Sequence, residues 1–530
     1  MLKNRLLLIL CCTLIAGLLM TGCSKQQSTH LRYAVGAEPE SIDPRKSTSI
    51  AASTIEAQLF EGLTVLDAAN RPAPAAAERW EVSADGLVYV FHLRQAAKWS
   101  NGESVTAHDF EYAWKTCLSP DFASPYAYQM FYIKNGEAYH NKKASADQVG
   151  VKALNDYTLE VRLERPAPYF LSLTAFHTYY PVHQKTVAAN GKWATDAKSV
   201  VGNGPFLLTL WQHSSKMELA KNPHYWDAAS VKLARMEFLL LDSASTVMAM
   251  FERNQIDIGD NLPASEIPRL LAEKKVQIQP QLGVGYYSFN MQKAPFDNAK
   301  VRKAFQLAID REVLVKKVLQ GGQQPAFALV PTGLADVKPG EDFRKVGGDL
   351  LKNNDIETAK RLLAEAGFPD GKGLPPITLL YNTSETHKMM AEAIQEMWKK
   401  NLGVLVQLSN QEWKVFLDSL DRHEFQMARD SWVGDYADPM TFIELFEMTN
   451  GNNVPDYKNP DYDALVNQAK KTPDQQTRMQ AMHAAEKLLI DDAVIIPLYY
   501  YTSPSLVKDR VKGTMRSIFG NIYFKNAYLQ

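Results

Sequence analysis

Hydrophobic and polar residues follow both regular periods along this chain. Residues Tyr157-Thr158-Leu159-Glu160-Val161-Arg162-Leu163-Glu164 alternate strictly, the pattern of a half-buried strand. Leu87, Tyr89, Phe91 and Leu93 repeat it before Arg94. A 3.6-residue period is equally legible. Asn354 and Glu357 form a capping box, Ala359, Leu362, Leu363 and Ala366 share one face, and Gly367 supplies a stop. Val301, Ala304, Phe305 and Ala308 make a second apolar stripe, read as core rather than as a cofactor box. Gly321-Gly322 and the Gly- and Pro-rich stretch 369–376 punctuate the elements. No internal repeat or low-complexity block is visible. The class is mixed α and β with interleaved elements.

The N-terminus departs from this pattern. Lys3 and Arg5 precede an uncharged apolar run from Leu6 to Met20, too short for an ordinary membrane span, which reads as a signal segment. It closes on Leu18-Leu19-Met20-Thr21-Gly22-Cys23, and the polar stretch Ser24 to Thr29 suits a tether. An ordinary secretory signal with an incidental Cys is the competing reading. Cys11 and Cys12 leave with the signal, so with Cys23 at the new terminus Cys117 alone remains in the body. A lone Cys makes no intramolecular disulfide, and burial of apolar surface must hold the fold. Removing Lys3 and Arg5 from 58 basic residues leaves 56 against 59 acidic ones, a balance of −3. Such a chain carries no electrostatic footprint for nucleic acid. No second apolar run reaches the roughly 18 residues of a membrane span.

Catalytic and metal-binding motifs fit poorly. The eleven His are scattered without a His-Glu-x-x-His motif, and no Gly-x-Ser-x-Gly elbow occurs. Gly367-Phe368-Pro369-Asp370-Gly371-Lys372 is one residue short of a phosphate loop, and Gly373 replaces its Ser or Thr. A helix end followed by a turn explains it. Gly202-Asn203-Gly204 lacks the third Gly of a dinucleotide fingerprint and reads as a tight turn. Asn382-Thr383-Ser384 is a formal glycosylation sequon of little weight here. No cofactor and no enzymatic activity are expected.

The most informative segment runs Arg429-Asp430-Ser431-Trp432-Val433-Gly434-Asp435-Tyr436-Ala437-Asp438-Pro439. Gly434 and Pro439 mark a turn or strand-end loop. A cation, a large aromatic and a carboxylate lie within seven positions. A peptide is a zwitterion, so a site for any peptide needs a group for each end and flat apolar walls between them. Taken alone, a solvated surface cluster is the competing reading. Tyr126, Tyr286, His387, Trp432 and Tyr501 add aromatic and polar groups near expected strand ends or turns.

Further stretches resemble one known family. They begin with Ser41-Ile42-Asp43-Pro44, Leu59-Phe60-Glu61-Gly62-Leu63, Pro72-Ala73-Pro74 and Ala77-Glu78-Arg79-Trp80. The strongest runs from Phe91-His92-Leu93-Arg94 through Ala97-Lys98-Trp99-Ser100-Asn101-Gly102-Glu103 to Val105-Thr106-Ala107-His108-Asp109-Phe110. Asn203-Gly204-Pro205-Phe206, Asn222-Pro223-His224-Tyr225-Trp226 and Tyr499-Tyr500-Tyr501 continue the likeness. By these motifs the chain resembles the oligopeptide-binding lipoproteins of bacterial peptide ABC transporters, solute-binding protein family 5.

That resemblance implies an α/β, two-lobed type II clam of the periplasmic-binding-protein kind with an additional third α/β domain. It places a signal peptide over 1–22 and a tether over 23–30. Lobe I would comprise 31–61, 186–282 and 503–530, the extra domain 62–185, and the second lobe 283–502. Cys23 would carry lipid and hold a monomer on the extracytoplasmic face of a membrane, where it serves the permease subunits of a peptide transporter. Asp435 would take the peptide's amino group, Arg429 a carboxylate, and His387 the C-terminal end of longer peptides. Trp432 and Tyr501 would wall side-chain pockets, with Tyr126, Tyr286 and the stretch Thr48 to Ile50 completing the contacts. Leu319 stands where well-studied relatives place a carboxylate-binding Lys, which puts preferred peptide length in question. Murein peptide, haem, a nickel chelate or a sugar are the alternative solutes, and a peptide pheromone is the alternative signal.

Overall fold

The computed structural model describes residues 30–68, 70–338, 340–472 and 474–530, so Cys23, the signal segment and nearly all of the tether lie outside the described residues. The strictly alternating segments form adjacent strands, as their period predicts. Val88–Leu93 and Thr158–Arg162 pair antiparallel at the centre of a four-stranded sheet, flanked by Ala77–Val82 and Val151–Asn155. The apolar stripe at 301–308 forms the helix Ala299–Leu307, with Val301, Ala304 and Phe305 buried.

The helix Ile356–Glu365 begins one residue later than the capping-box reading. Asp355 is its N-cap, its carboxylate accepting the Thr358 N–H at 3.3 Å, while Asn354 sits at φ 52° outside the helix. Both residue types cap helices well, so local sequence could not decide between neighbours. Tertiary contact decides: the Asn401 amide donates to the Asn354 side-chain oxygen at 3.3 Å.

An eleven-stranded mixed sheet spans both halves of the molecule. One half holds Val406–Gln411, Ile377–Asn382 and Met427–Val433; the other holds Ile258–Gly259, Leu31–Gly36, Arg235–Leu240, Lys216–Lys221 and Phe206–Gln212, and the short Gln324–Pro325 pairs beside Ile495–Val507. Two long antiparallel strands, Val276–Phe289 and Ile495–Val507, join the halves. Their register holds from Val276↔Leu506 to Pro280↔Thr502, slips, and resumes at Val284↔Tyr500. Two strands with an irregular crossing leave the halves joined by little backbone, the construction of a hinge.

Gly202 and Gly204 are fixed by close approach. A Cβ on either would meet Leu59 or Phe60 backbone at 1.9 and 2.6 Å, and Asn203 exchanges two hydrogen bonds of 2.9 Å with the Glu61 backbone. This contact docks the helix Ile50–Leu59 on the start of the strand Phe206–Gln212. Among the described residues, no helix is long and apolar enough to cross a membrane.

Candidate functional site

The segment 429–439 is a strand end followed by a tightly tied loop. Met427–Val433 pairs antiparallel with 283–289, placing Arg429 opposite Tyr287 and Trp432 opposite Val284. Arg429 to Val433 therefore lie in the strand itself, and the turn begins at Gly434. Its N–H donates to the Leu282 carbonyl at 2.8 Å, and a Cβ there would meet the Leu282 and Thr441 side chains at 2.9 and 3.1 Å. Asp435 follows, its N–H donating to Thr441 Oγ1 at 3.0 Å. Asp438 takes a different part. It accepts the Met440 N–H at 2.9 Å and two Arg478 N–H groups at 2.7 and 2.8 Å, which pins the loop.

Asp435 is 6 % exposed and makes no salt bridge among the described residues. Its carboxylate accepts the Gln129 Nε2–H at 2.5 Å and the Tyr128 hydroxyl at 3.4 Å, both from a segment more than 300 residues away. Burial, reinforced by the charge of Glu444, raises its pKa well above the usual carboxylate range. A buried carboxylate without a cation is costly, and protonation relieves the cost.

Arg429 is 8 % exposed and likewise forms no salt bridge among the described residues; its Nη2 donates to the Tyr501 hydroxyl at 2.6 Å. Burial opposes its charge, yet the oxygens of Tyr501, Tyr499 and Asp430 hold its pKa above the ordinary value. His387, in the first turn of the helix Glu385–Leu402, has a pKa held well below its ordinary value by burial and by the Arg429 charge. Its Nδ1, the Trp432 Nε1 and the Tyr287 hydroxyl are buried without hydrogen-bond partners among the described residues. Arg429, His387 and Tyr287 thus lie near one another, while Asp435, six residues on from Arg429, faces Tyr126, Tyr128 and Gln129.

The other expected residues divide. Tyr126 packs edge-on against Phe176 and His177 at 5.3 and 5.6 Å, its pKa raised by burial and by nearby Asp435. Tyr286 and Tyr501 lie within long strands, not at strand ends, and Tyr286 is buried beside Asp430. Ile50 is 41 % exposed and begins the helix capped by Ser49. Leu319 is 2 % exposed in the main core, where an apolar side chain is satisfied.

Sequence reasoning missed the contacts that join the halves. The Tyr132 hydroxyl donates to Glu444 at 2.9 Å, and the Tyr436 hydroxyl donates to the same carboxylate at 2.5 Å. Tyr169 stacks on Tyr436 with centroids 4.5 Å apart, and the Arg478 guanidinium lies 5.5 Å from the Tyr169 ring centre. The density of aromatics from Tyr126 to Tyr132 was the one available signal.

Comparison with known proteins agrees with this geometry. Residues 71–454 match the bacterial extracellular solute-binding proteins, family 5. The Bacillus subtilis oligopeptide-binding protein OppA is 40 % identical over 515 residues, covering 95 % of this chain and 93 % of that one. The Haemophilus influenzae OppA complex with RPPGFSPFR superposes with a TM-score of 0.86 at 34 % identity, covering 95 % and 99 % of the two chains. The murein tripeptide-binding protein MppA in its unliganded open form gives only 0.66 at 35 % identity, covering 95 % and 98 %. Identity and coverage are nearly the same in the two cases, so the lobes of this chain are arranged more like those of the peptide complex than like those of the open form. With more than two thirds of its length matched, the chain belongs to the bacterial extracellular solute-binding proteins of family 5.

Proposed function

We propose that this protein captures short peptides between its two lobes and delivers them to the permease of a peptide ABC transporter. One observation carries the reading: Arg429 and Asp435 are both buried, and among the described residues neither forms a salt bridge. A zwitterion of peptide length supplies both missing charges. The OppA relatives, one of them in complex with a nonapeptide, support the same solute class.

In this reading Asp435 takes the α-ammonium and Arg429 a carboxylate. His387, uncharged in the closed form, donates or accepts near the C-terminal end of longer peptides. Trp432 and Tyr501 wall the side-chain pockets, with Tyr126, Tyr286 and Ile50 around them. Main-chain hydrogen bonds to an extended peptide give sequence-tolerant affinity, while alternate pockets set preference. Buried Leu319 offers no charge to a C-terminus, so Arg429 and His387 carry that end. The lobes divide near 282 and 503, where the two long strands slip in register, with 62–185 as the extra domain. Lipid on Cys23 would keep the monomer at the extracytoplasmic face of a membrane, within reach of the permease.

Native mass spectrometry of the soluble protein from Ser24 onward, before and after adding a mixed peptide library, tests the assignment. Adducts of peptides about two to six residues long support it. A non-peptide adduct, with no peptide retained at micromolar concentration, would remove Arg429 and Asp435 from these roles.

A further inference from the structure

Gln129 stands out among the buried groups that close the cleft. It sits in the short 3-10 turn Ala127–Met130 and is 1 % exposed. Its backbone carbonyl accepts the Tyr179 hydroxyl at 2.5 Å, which holds the turn in place. Its Nε2 donates to Asp435 Oδ2 at 2.5 Å and to the Tyr128 hydroxyl at 3.3 Å. The remaining atom of that amide, Oε1, is buried and has no donor among the described residues. A buried amide oxygen left without a donor is uncommon and costly, because it has given up water for nothing.

An amide is rigid and flat, so fixing Nε2 on Asp435 also fixes where Oε1 can lie: a little over 2 Å from Nε2, beside the same carboxylate. A carboxylate and an amide carbonyl set side by side form an acceptor pair. A primary ammonium, with three N–H donors and a full charge, can engage both at once. A neutral amide, with one N–H and no charge, cannot. The two acceptors come from segments 306 residues apart, Gln129 from the proposed extra domain and Asp435 from the second lobe.

We infer that Gln129 is a second recognition residue for the peptide's α-ammonium, its Oε1 accepting an N–H alongside Asp435, so that a free amino terminus is read by the extra domain and the second lobe together. This rests on the peptide reading of the cleft and adds a residue from the extra domain. In the peptide-free closed form the Gln129 N–H takes the place of one ammonium donor on Asp435. The ammonium then displaces a neutral contact and gains two acceptors.

The test compares two peptide pools on wild type and on Gln129→Met, which keeps length and bulk without the amide. The pools are randomised lysine-free tetrapeptides with a free amino terminus, and the same peptides N-acetylated, each competing against a fluorescent reporter peptide. Wild type should prefer the free pool. Gln129→Met should shrink that preference about tenfold, by weakening the free pool and leaving the acetylated pool within about twofold, the scale of one hydrogen bond to an ion. Gln129→Asn, which withdraws the same amide by one methylene, should shrink it similarly and stands in if the Met variant misfolds. An equal loss for both pools would assign Gln129 to closure alone and overturn the inference, leaving the peptide reading intact. A wild type that binds both pools equally would overturn amine recognition by Asp435 and Gln129 together.

Discussion

Tyr132→Phe isolates lobe closure from peptide contact. The hydroxyl removed donates to Glu444 at 2.9 Å across the two halves, while the ring keeps its edge contact with Tyr169 at 5.4 Å. A hydrogen bond to an ionised group contributes about 1.5–3 kcal/mol. Glu444 keeps the Tyr436 hydroxyl at 2.5 Å and the Lys470 ammonium at 3.3 Å, so it is not orphaned and the loss sits at the lower end of that range. On the reading that the lobes close around a peptide, the contact belongs to the closed state and the loss falls there. About 1.5 kcal/mol corresponds to roughly a tenfold shift in the closure equilibrium. Mutational effects on binding fall mostly on dissociation, so peptide release should quicken by about tenfold. Stopped-flow release of a fluorescent peptide measures this directly, with the melting temperature of the peptide-free protein as control. A release rate within twofold of wild type would refute the assignment of Tyr132 to a closure clasp. So would an equal loss of stability in the peptide-free protein.

Two further outcomes follow from the buried charges. Arg478→Met leaves the Asp438 carboxylate buried without its bidentate partner and should cost about 3–5 kcal/mol, read as a lower urea midpoint. Adding Asp438→Asn should recover part of that loss; full additivity of the two would show that the pair does not hold the loop. Asp435 governs pH dependence. Burial and then Glu444 raise its pKa in the peptide-free closed form, so its contribution to that form is full at low pH and disappears as pH rises through the raised value. An ammonium reverses the preference, because it favours the ionised carboxylate. Peptide affinity measured by calorimetry should therefore fall as pH drops from about 8 to 5, with proton release on binding, and Asp435→Asn should flatten the profile.

Local pattern made the elements legible, and chemistry made half of the site legible. Alternation at 87–93 and 157–164 located the two central strands of the small sheet, because one face of each is buried and the other is not. Arg429, Trp432 and Asp435 were visible because charges of opposite sign and an aromatic crowd one short segment. The end of that segment reads as a turn from Gly434, but its start is strand, since pairing with 283–289 extends through Val433. Tyr286 and Tyr501 were expected near strand ends yet lie inside strands of 14 and 13 residues. Those strands run long because they serve both halves, a tertiary requirement that no local window contains. The same limit hid Tyr132, Gln129 and Glu444. Their partners lie about 300 residues away, and only the folded, closed chain brings them together.

The central claim is that Asp435 meets the cationic end of a peptide inside a closed cleft. Titration calorimetry of wild type and Asp435→Ala with one peptide chosen for tight binding tests it most directly. Removing one member of a buried charged pair costs about 2–5 kcal/mol, so the variant should bind at least roughly thirtyfold more weakly. Equal affinity in the two proteins would contradict the account.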